Sequence, residues 1–588
     1  MTVNPLRTAG IRIRAELDYL RLCVGSGVVG LESPFTLLSV SETMVRLGAL
    51  PALLRLAAAR YGERAAVIDE LGTLSYRELD ERSNRLANEW RKRGLSSGEG
   101  VAILARNHRG LLDAVFAAAK CGARIILLNT DFGGPQLRAV ARREGADLLV
   151  YDEEYESILG DLSPRRGAYR AWALTRDTSD LESLIAAGSP VPPLFSRNSA
   201  KIVLLTSGTS GTPKGAKRPE PKSLEPLGAI LSKVPFRARE VTECPAPLFH
   251  TLGFAMSMLA IGFGSTLVIR RRFDPERVLA SMAEHRATAL IAVPVMLARI
   301  VELGPESRQT RDLSALRIIL VAGSQLGADL ARKAGAAFGP VLYNLYGSTE
   351  VAYATVATPR DLAAEPGCVG SPVAGAVVRI LDEHGRQVSP GITGRIFVRN
   401  SASFEGYTGG GRKEVVRGMM STGDIGHFDS AGRLFIDGRD DDMIVSGGEN
   451  VFPGEVEELL NAHPGVREAA VIGVPDDEYG ARLVAFVVRS GGSAPDAPDL
   501  DGEDGPEFDL HVAGEPAPSP PGEHAGAHID SEARHLDPPA SDLLCAEDLQ
   551  AHVKSNLARY KVPREIVFLD ELPRNPTGKV LKRQLREW

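Results

Sequence analysis

From Val101 onward, short apolar runs alternate with amphipathic stretches: VAILARN, LLDAVFAAAKCG, RIILLN, PQLRAVARREG and DLLVYD follow one another. Apolar runs bounded by helix-like segments mark strands buried on both faces of a parallel sheet, with crossover helices between them. The rhythm returns in ALIAVP, RIILVAGS and VLYNLYGSTE. This pattern predicts an α/β fold whose large N-terminal domain is built of parallel-sheet α/β subdomains. After Ser371 the texture changes to AVVRILDEHG, GRIFVRN and GRLFIDGR, alternating strands with glycine-rich turns that predict a β-rich subdomain. Beyond GRDDDMIVSGGEN, polar and glycine-bearing as a hinge must be, a small mobile α+β domain is expected. The expected division is an N-terminal extension over 1–49, a large domain over 50–440 and a C-terminal domain over 441–588.

The chain has 588 residues, enough for several folding units. Its five cysteines form no CxxC pair and no metal-ligand spacing, which suits a reducing cytoplasm. The apolar run LCVGSGVVGL falls short of the ~20 residues that a membrane-spanning helix needs. Glu16, Asp18 and Arg21 interrupt any signal-peptide core, so a cytoplasmic protein is expected. IRIRAELDYLRL places basic and apolar residues at helical spacing, as a helix packed on the body or one in peripheral membrane contact would.

The overall charge of −7 is unevenly distributed: residues 491–542 hold thirteen acidic groups and one arginine, leaving the rest of the chain at +5. That acidic segment also carries nine of the 38 prolines and almost no aromatic side chain, so a disordered surface insertion is expected. The mildly basic remainder suits phosphate-bearing ligands, and no nucleic-acid partner is expected. Composition leaves monomer and homodimer equally open.

The stretch LLTSGTSGTPKGA begins where the apolar run KIVLLT ends. Gly208, Gly211 and Gly215 let backbone N–H groups approach an anion, and Thr206, Ser207, Thr209, Ser210 and Thr212 add hydroxyl donors. Lys214 follows a proline and precedes a glycine, so this is not a Walker A loop, in which Gly-Lys-Ser/Thr opens a helix. The ten residues TSGTSGTPKG resemble the phosphate loop of the adenylate-forming superfamily, which includes acyl-CoA synthetases, aryl-CoA ligases, luciferases and peptide-synthetase adenylation domains. Four further segments resemble its motifs in the right order: YNLYGSTE, STGD, GRDDDMIVSGGENVFPGEVE and PRNPTGKVLKRQLR.

The resemblance implies attack of a carboxylate on the α-phosphate of ATP, then transfer of the acyl group to a thiol, with ATP, Mg²⁺ and CoA as cofactors. It implies that Lys579 bridges the carboxylate and the α-phosphate, that Glu350 holds Mg²⁺, and that Thr349 touches the α-phosphate. Tyr346 would pack on adenine, with Gly323, Ser324, Gly347 and Ser348 also at the nucleotide. Asp424 would accept the ribose hydroxyls with Arg439 beside it, and Asp441 would be the pivot that swings Ser446, Gly447 and Gly448 toward the thiol channel. His250, in PLFHTLGF, stands where acyl-CoA synthetases carry a gate at the mouth of the acyl tunnel.

Some positions depart from the family pattern: Arg395 follows Gly394 where glutamate is usual, YTGGGRKE lacks Pro-Glu-x-Thr, and Met419-Met420 replace an aromatic pair. No carboxylate in PLFHTLGF could pair with an α-amino group, which argues against amino-acid activation. Small and flexible apolar residues in GFAMSMLAIGFG point to an apolar acyl chain. A medium- or long-chain fatty acid is expected; an aryl, terpenoid or sterol side-chain acid, or delivery to a carrier protein, is the alternative.

Overall fold

The computed structural model describes residues 5–30, 34–174, 179–193, 199–205, 214–217, 223–408, 410–440, 444–446, 449–451, 453–476, 480–490, 544–557, 561–575 and 578–587. The acidic insertion expected at 491–542 lies outside the described residues. So do Thr206, Ser207, Gly208, Thr209, Ser210, Gly211, Thr212, Asp441, Gly447 and Gly448.

Two large sheets carry the α/β pattern. In the nine-stranded sheet, Leu342–Tyr346, Ile318–Val321, Ala289–Ala292, Val241–Glu243, Thr266–Val268 and Ala65–Asp69 run parallel in that order. Antiparallel strands close both edges, Thr355–Ala357 and Ser371–Pro372 on one side and Gly72–Ser75 on the other. The seven-stranded sheet places Lys201–Leu205, Arg124–Leu127, Gly100–Leu104, Ala146–Asp152 and Ala168–Trp172 in parallel order. Gly100–Leu104 and Ile318–Val321 are buried at every residue, as strands sandwiched between helix layers must be. The helix Tyr76–Lys92 starts at a capping box between Ser75 and Glu78, and buries Leu79, Leu86 and Trp90 in the largest core cluster.

The β-rich unit is a five-stranded antiparallel sheet of Val377–Leu381, Gly394–Arg399, Met419–Phe428, Val415–Val416 and Leu434–Arg439. Toward the C-terminus, Val466–Asp476, Gly480–Arg489 and Glu565–Phe568 form a three-stranded sheet covered by helices Pro453–Asn461 and Ala546–Asn556. The short strands Ile444–Ser446 and Glu449–Val451 pair beside it.

Three helices lead the chain: α1 (Pro5–Ser26), α2 (Pro34–Leu47) and α3 (Ala49–Tyr61). α1 packs on the body through Tyr19, whose ring lies over Gly228 in the helix Glu225–Leu231; a Cβ at Gly228 would meet Tyr19 Cδ1 at 2.3 Å. Glu16 Oε2 accepts from the Leu224 amide at 3.2 Å, while Ile13, Leu17 and Val24 stay exposed. Among the described residues, no helix is long and apolar enough to cross a membrane. All five cysteines are free thiols, four of them buried.

Candidate active site

The phosphate-loop candidate joins two antiparallel strands, Lys201–Leu205 and Gly215–Lys217, so the loop starts at the end of a buried strand as its sequence predicts. Of its candidate residues only Lys214 is described. Its ammonium lies 5.5 Å from the ring centroid of Tyr407. Tyr407 sits opposite Ala216 in the next strand, Gly406–Tyr407, and its hydroxyl donates to Glu350 Oε1 at 2.7 Å. Burial and the Glu350 charge push the Tyr407 hydroxyl well up, so it remains a donor. A lysine, a tyrosine and a carboxylate from three distant segments thus meet on one wall.

Next to them, the strand Leu342–Tyr346 delivers Tyr346 and turns sharply. A Cβ at Gly347 would meet the Ala352 carbonyl oxygen at 2.2 Å, which leaves that place to glycine. Ser348 Oγ accepts from the Glu350 and Val351 amides at 3.2 and 3.3 Å, fixing the turn that presents Glu350. Thr349 Oγ1 lies 3.4 Å from Thr251 Oγ1, at the start of the helix Thr251–Gly262.

Asp424 and Arg439 are register partners on adjacent strands, which places the guanidinium beside the carboxylate. Arg439 Nη1 donates to Asp424 Oδ1 at 3.1 Å and the Tyr346 hydroxyl donates to Oδ2 at 2.6 Å. Burial raises the Asp424 pKa, opposed by Arg439, by Tyr346 and by the positive charge of Lys579. Burial and the neighbouring Asp424 likewise hold the Tyr346 hydroxyl protonated.

Lys579 reaches this cluster from the C-terminal unit on a tight turn. Its amide donates to Asn575 Oδ1 at 2.8 Å, and its carbonyl accepts from the Asn575 amide at 2.9 Å. Gly578, at φ +74°, presses against the helix Pro294–Glu302: a Cβ there would meet Val295 Cγ1 at 2.1 Å.

These groups line a single cleft of about 2170 Å³. Lys214, Gly323, Ser324, Tyr346, Gly347, Ser348, Thr349, Glu350, Asp424, Arg439 and Lys579 all border it. Gly323 has φ +99°, just after the strand Ile318–Val321. His250 borders it at the head of the helix Thr251–Gly262. Burial pulls its pKa down to about 4, and its Nε2 is enclosed with no hydrogen-bond partner among the described residues. The imidazole is therefore neutral at ordinary pH. Ser446 ends the short strand Ile444–Ser446, which pairs antiparallel with Glu449–Val451.

Sequence reasoning missed Tyr407 and Val295. Tyr407 lies in the segment YTGGGRKE, visible there only as a departure from the family pattern, and Val295 carries no local signal. Another departure, Arg395, bridges Glu414 and Asp440, donating from Nε to Asp440 Oδ2 at 2.9 Å immediately before the expected pivot.

Among the described residues, no group of three or more His, Cys, Asp or Glu side chains could hold a metal alone. One carboxylate, Glu350, in the same cleft as Lys214 fits Mg²⁺, which characteristically takes one or two carboxylates and shares its remaining positions with water and substrate phosphates.

Residues 54–408 match the family described as AMP-binding enzyme, and residues 455–503 and 530–579 match the AMP-binding enzyme C-terminal domain. Feruloyl-CoA synthase from Amycolatopsis sp is 32% identical over 537 residues, covering 90% of this chain and 96% of that protein. The fatty acid–[acyl-carrier-protein] ligase ScoC from Streptomyces coeruleorubidus is 27% identical, covering 89% and 93%. Among solved structures, ATP-bound MatB from Rhodopseudomonas palustris superposes with a TM-score of 0.73 at 26% identity, covering 91% of this chain and 98% of that one.

Proposed function

The chain belongs to the AMP-binding enzyme family, and from that premise we propose that it activates an apolar carboxylic acid, first choice a medium- or long-chain fatty acid, as the acyl-adenylate. It is an AMP-forming ligase of acyl-CoA synthetase type, with ATP, Mg²⁺ and CoA as its cofactors. In the first step the carboxylate oxygen attacks the α-phosphorus and pyrophosphate leaves. In the second the CoA thiol attacks the acyl carbonyl and AMP leaves.

The observation that carries this proposal is the position of Lys579 on a turn docked against Val295, with its charge acting on Asp424. Two anions brought to 4 Å repel by ~4 kcal/mol at an effective dielectric of about 20, so a cation placed beforehand lowers the barrier directly. We assign Lys579 to that role. Asp424, whose oxygens retain acceptor capacity beyond Tyr346 and Arg439, accepts the ribose hydroxyls. Tyr346 packs on adenine, Gly323, Ser324, Gly347 and Ser348 border the nucleotide, and Thr349 contacts the α-phosphate.

Glu350, held by Tyr407, would carry Mg²⁺, which supplies positive charge to the phosphates when bound. Lys214 and the loop from Thr206 to Thr212 hold the outer phosphates. His250, neutral, gates the acyl arm without acting as a base. The swing about Asp441 then brings Ser446, Gly447 and Gly448 to the thiol. Division at residues 49 and 440 is part of the same proposal, and the exposed Ile13, Leu17 and Val24 of α1 would serve any peripheral membrane contact.

The test supplies ATP, Mg²⁺ and a chain-length series of acids, with and without CoA, and follows pyrophosphate and thioester separately. Thioester that peaks with a fatty acid is expected. Pyrophosphate without thioester would replace CoA by a carrier protein as acceptor, and neither product with any acid would overturn the proposal.

A further inference from the structure

The apolar arm of the cleft reaches past the large domain. Its spine is the helix Thr251–Gly262, which runs for ~18 Å from His250 at its head to Gly262 at its end. Leu53 of α3 closes over that end: a Cβ at Gly262 would meet Leu53 Cδ1 at 3.1 Å. α2 packs on α3, and Val28, Val40 and Met44 of the N-terminal extension border the same cleft as His250 and Lys579. α1 supports a second wall from behind, since Tyr19 lies over Gly228 while Leu227 and Ile230 of the same helix line the cleft.

We propose that the N-terminal extension is part of the acyl site, with Val40 and Met44 limiting the length of an extended apolar chain. This rests on the acyl-activating function proposed above and narrows its substrate. A single aromatic ring is shorter than two turns of the spine helix, about 11 Å, and would leave the outer part of the arm unfilled. Met44 borders the cleft yet is 48% exposed, and Val29 borders it at 37%. Large apolar side chains left open in a concave apolar channel are what a bound chain would cover. Packing alone accounts for Tyr19, which is covered by protein atoms, but not for Met44.

The test measures kcat/KM of the full chain for saturated acids from butanoate to octadecanoate, comparing the parent protein with the double variant Val40→Trp, Met44→Trp. In the parent, each methylene buried along the arm should raise kcat/KM by about fourfold. The double variant should lose tenfold or more with the longest acids while butanoate is unchanged. A uniform fall at every length, or no change at any length, would overturn the proposal. Should the variant fold poorly, a hexadecanoate with a terminal diazirine, photolysed in the parent protein, gives an independent answer. Labelling within 28–44 supports the proposal, and labelling confined to 250–262 overturns it. Absence of pyrophosphate with every acid would overturn the acyl-activating function itself, a result that an unshifted length profile would not imitate.

Discussion

Gly578 offers a way to perturb the docking of Lys579 without touching the lysine. Its φ of +74° and its closeness to Val295, whose Cγ1 would lie 2.1 Å from an added Cβ, mean that Gly578→Ala fits only if the turn withdraws or Val295 shifts. Val295 is β-branched and set in a helix, so it has little rotamer freedom with which to yield. Overpacking of this kind costs about 1–3 kcal/mol, and a left-handed backbone at alanine adds about 1 kcal/mol more. With about 3 kcal/mol lost from the docked pose, adenylation should slow by roughly a hundredfold. The assay is single-turnover pyrophosphate release, run beside thioester formation from supplied acyl-adenylate. The first should fall and the second should hold. Val295→Ala in the same chain removes the clashing methyl groups and should restore the larger part of the loss, leaving the backbone share. Equal loss of both half-reactions, or no relief from Val295→Ala, would refute the argument.

Other perturbations test other parts of the site. Tyr407→Phe removes the hydroxyl that donates to Glu350, and should raise the Mg²⁺ concentration needed for half-maximal pyrophosphate release by about tenfold; an unchanged Mg²⁺ dependence contradicts the assignment. Asp424→Asn, which replaces a charge-assisted contact to Arg439, should raise the KM for ATP by roughly tenfold or more with little change in melting temperature; a raised KM together with a lowered melting temperature would mark the pair as structural. Buried Glu243, which accepts from Ser281 Oγ at 2.7 Å, has its pKa raised from 4.5 to about 7 by burial. The folded chain therefore holds a proton there that the unfolded chain releases, so this contribution is full below pH 4.5 and lost by about pH 7, at most about 3 kcal/mol. Glu243→Gln should flatten the decline of unfolding free energy across that window, and an unchanged slope would count against it.

The parallel strands were legible because burial on both faces leaves a local signature: Ile318–Val321 and Ala289–Ala292 are runs of apolar residues with no polar face. The edge strands were not, since Gly406–Tyr407 is too short to show a period and is defined by its partner Gly215–Lys217. Glu350, Asp424 and Lys579 could be named from their motifs, and the structure brings all three to one cleft. What supports them was hidden by sequence distance. Tyr407 meets Glu350 across 57 positions, and Val295 meets Gly578 through tertiary packing alone. The N-terminal extension shows the same limit: nothing in IRIRAELDYLRL announces that Tyr19 will lie over Gly228.

The central claim is that Lys579 supplies the cation for adenylation and not for thioester transfer. The measurement is the two half-reactions of Lys579→Ala, followed separately at saturating ATP, Mg²⁺ and the best acid. Pyrophosphate release should fall by several orders of magnitude while supplied acyl-adenylate is still converted to thioester at close to the parent rate. Equal loss of both steps, or retention of the first, would contradict it.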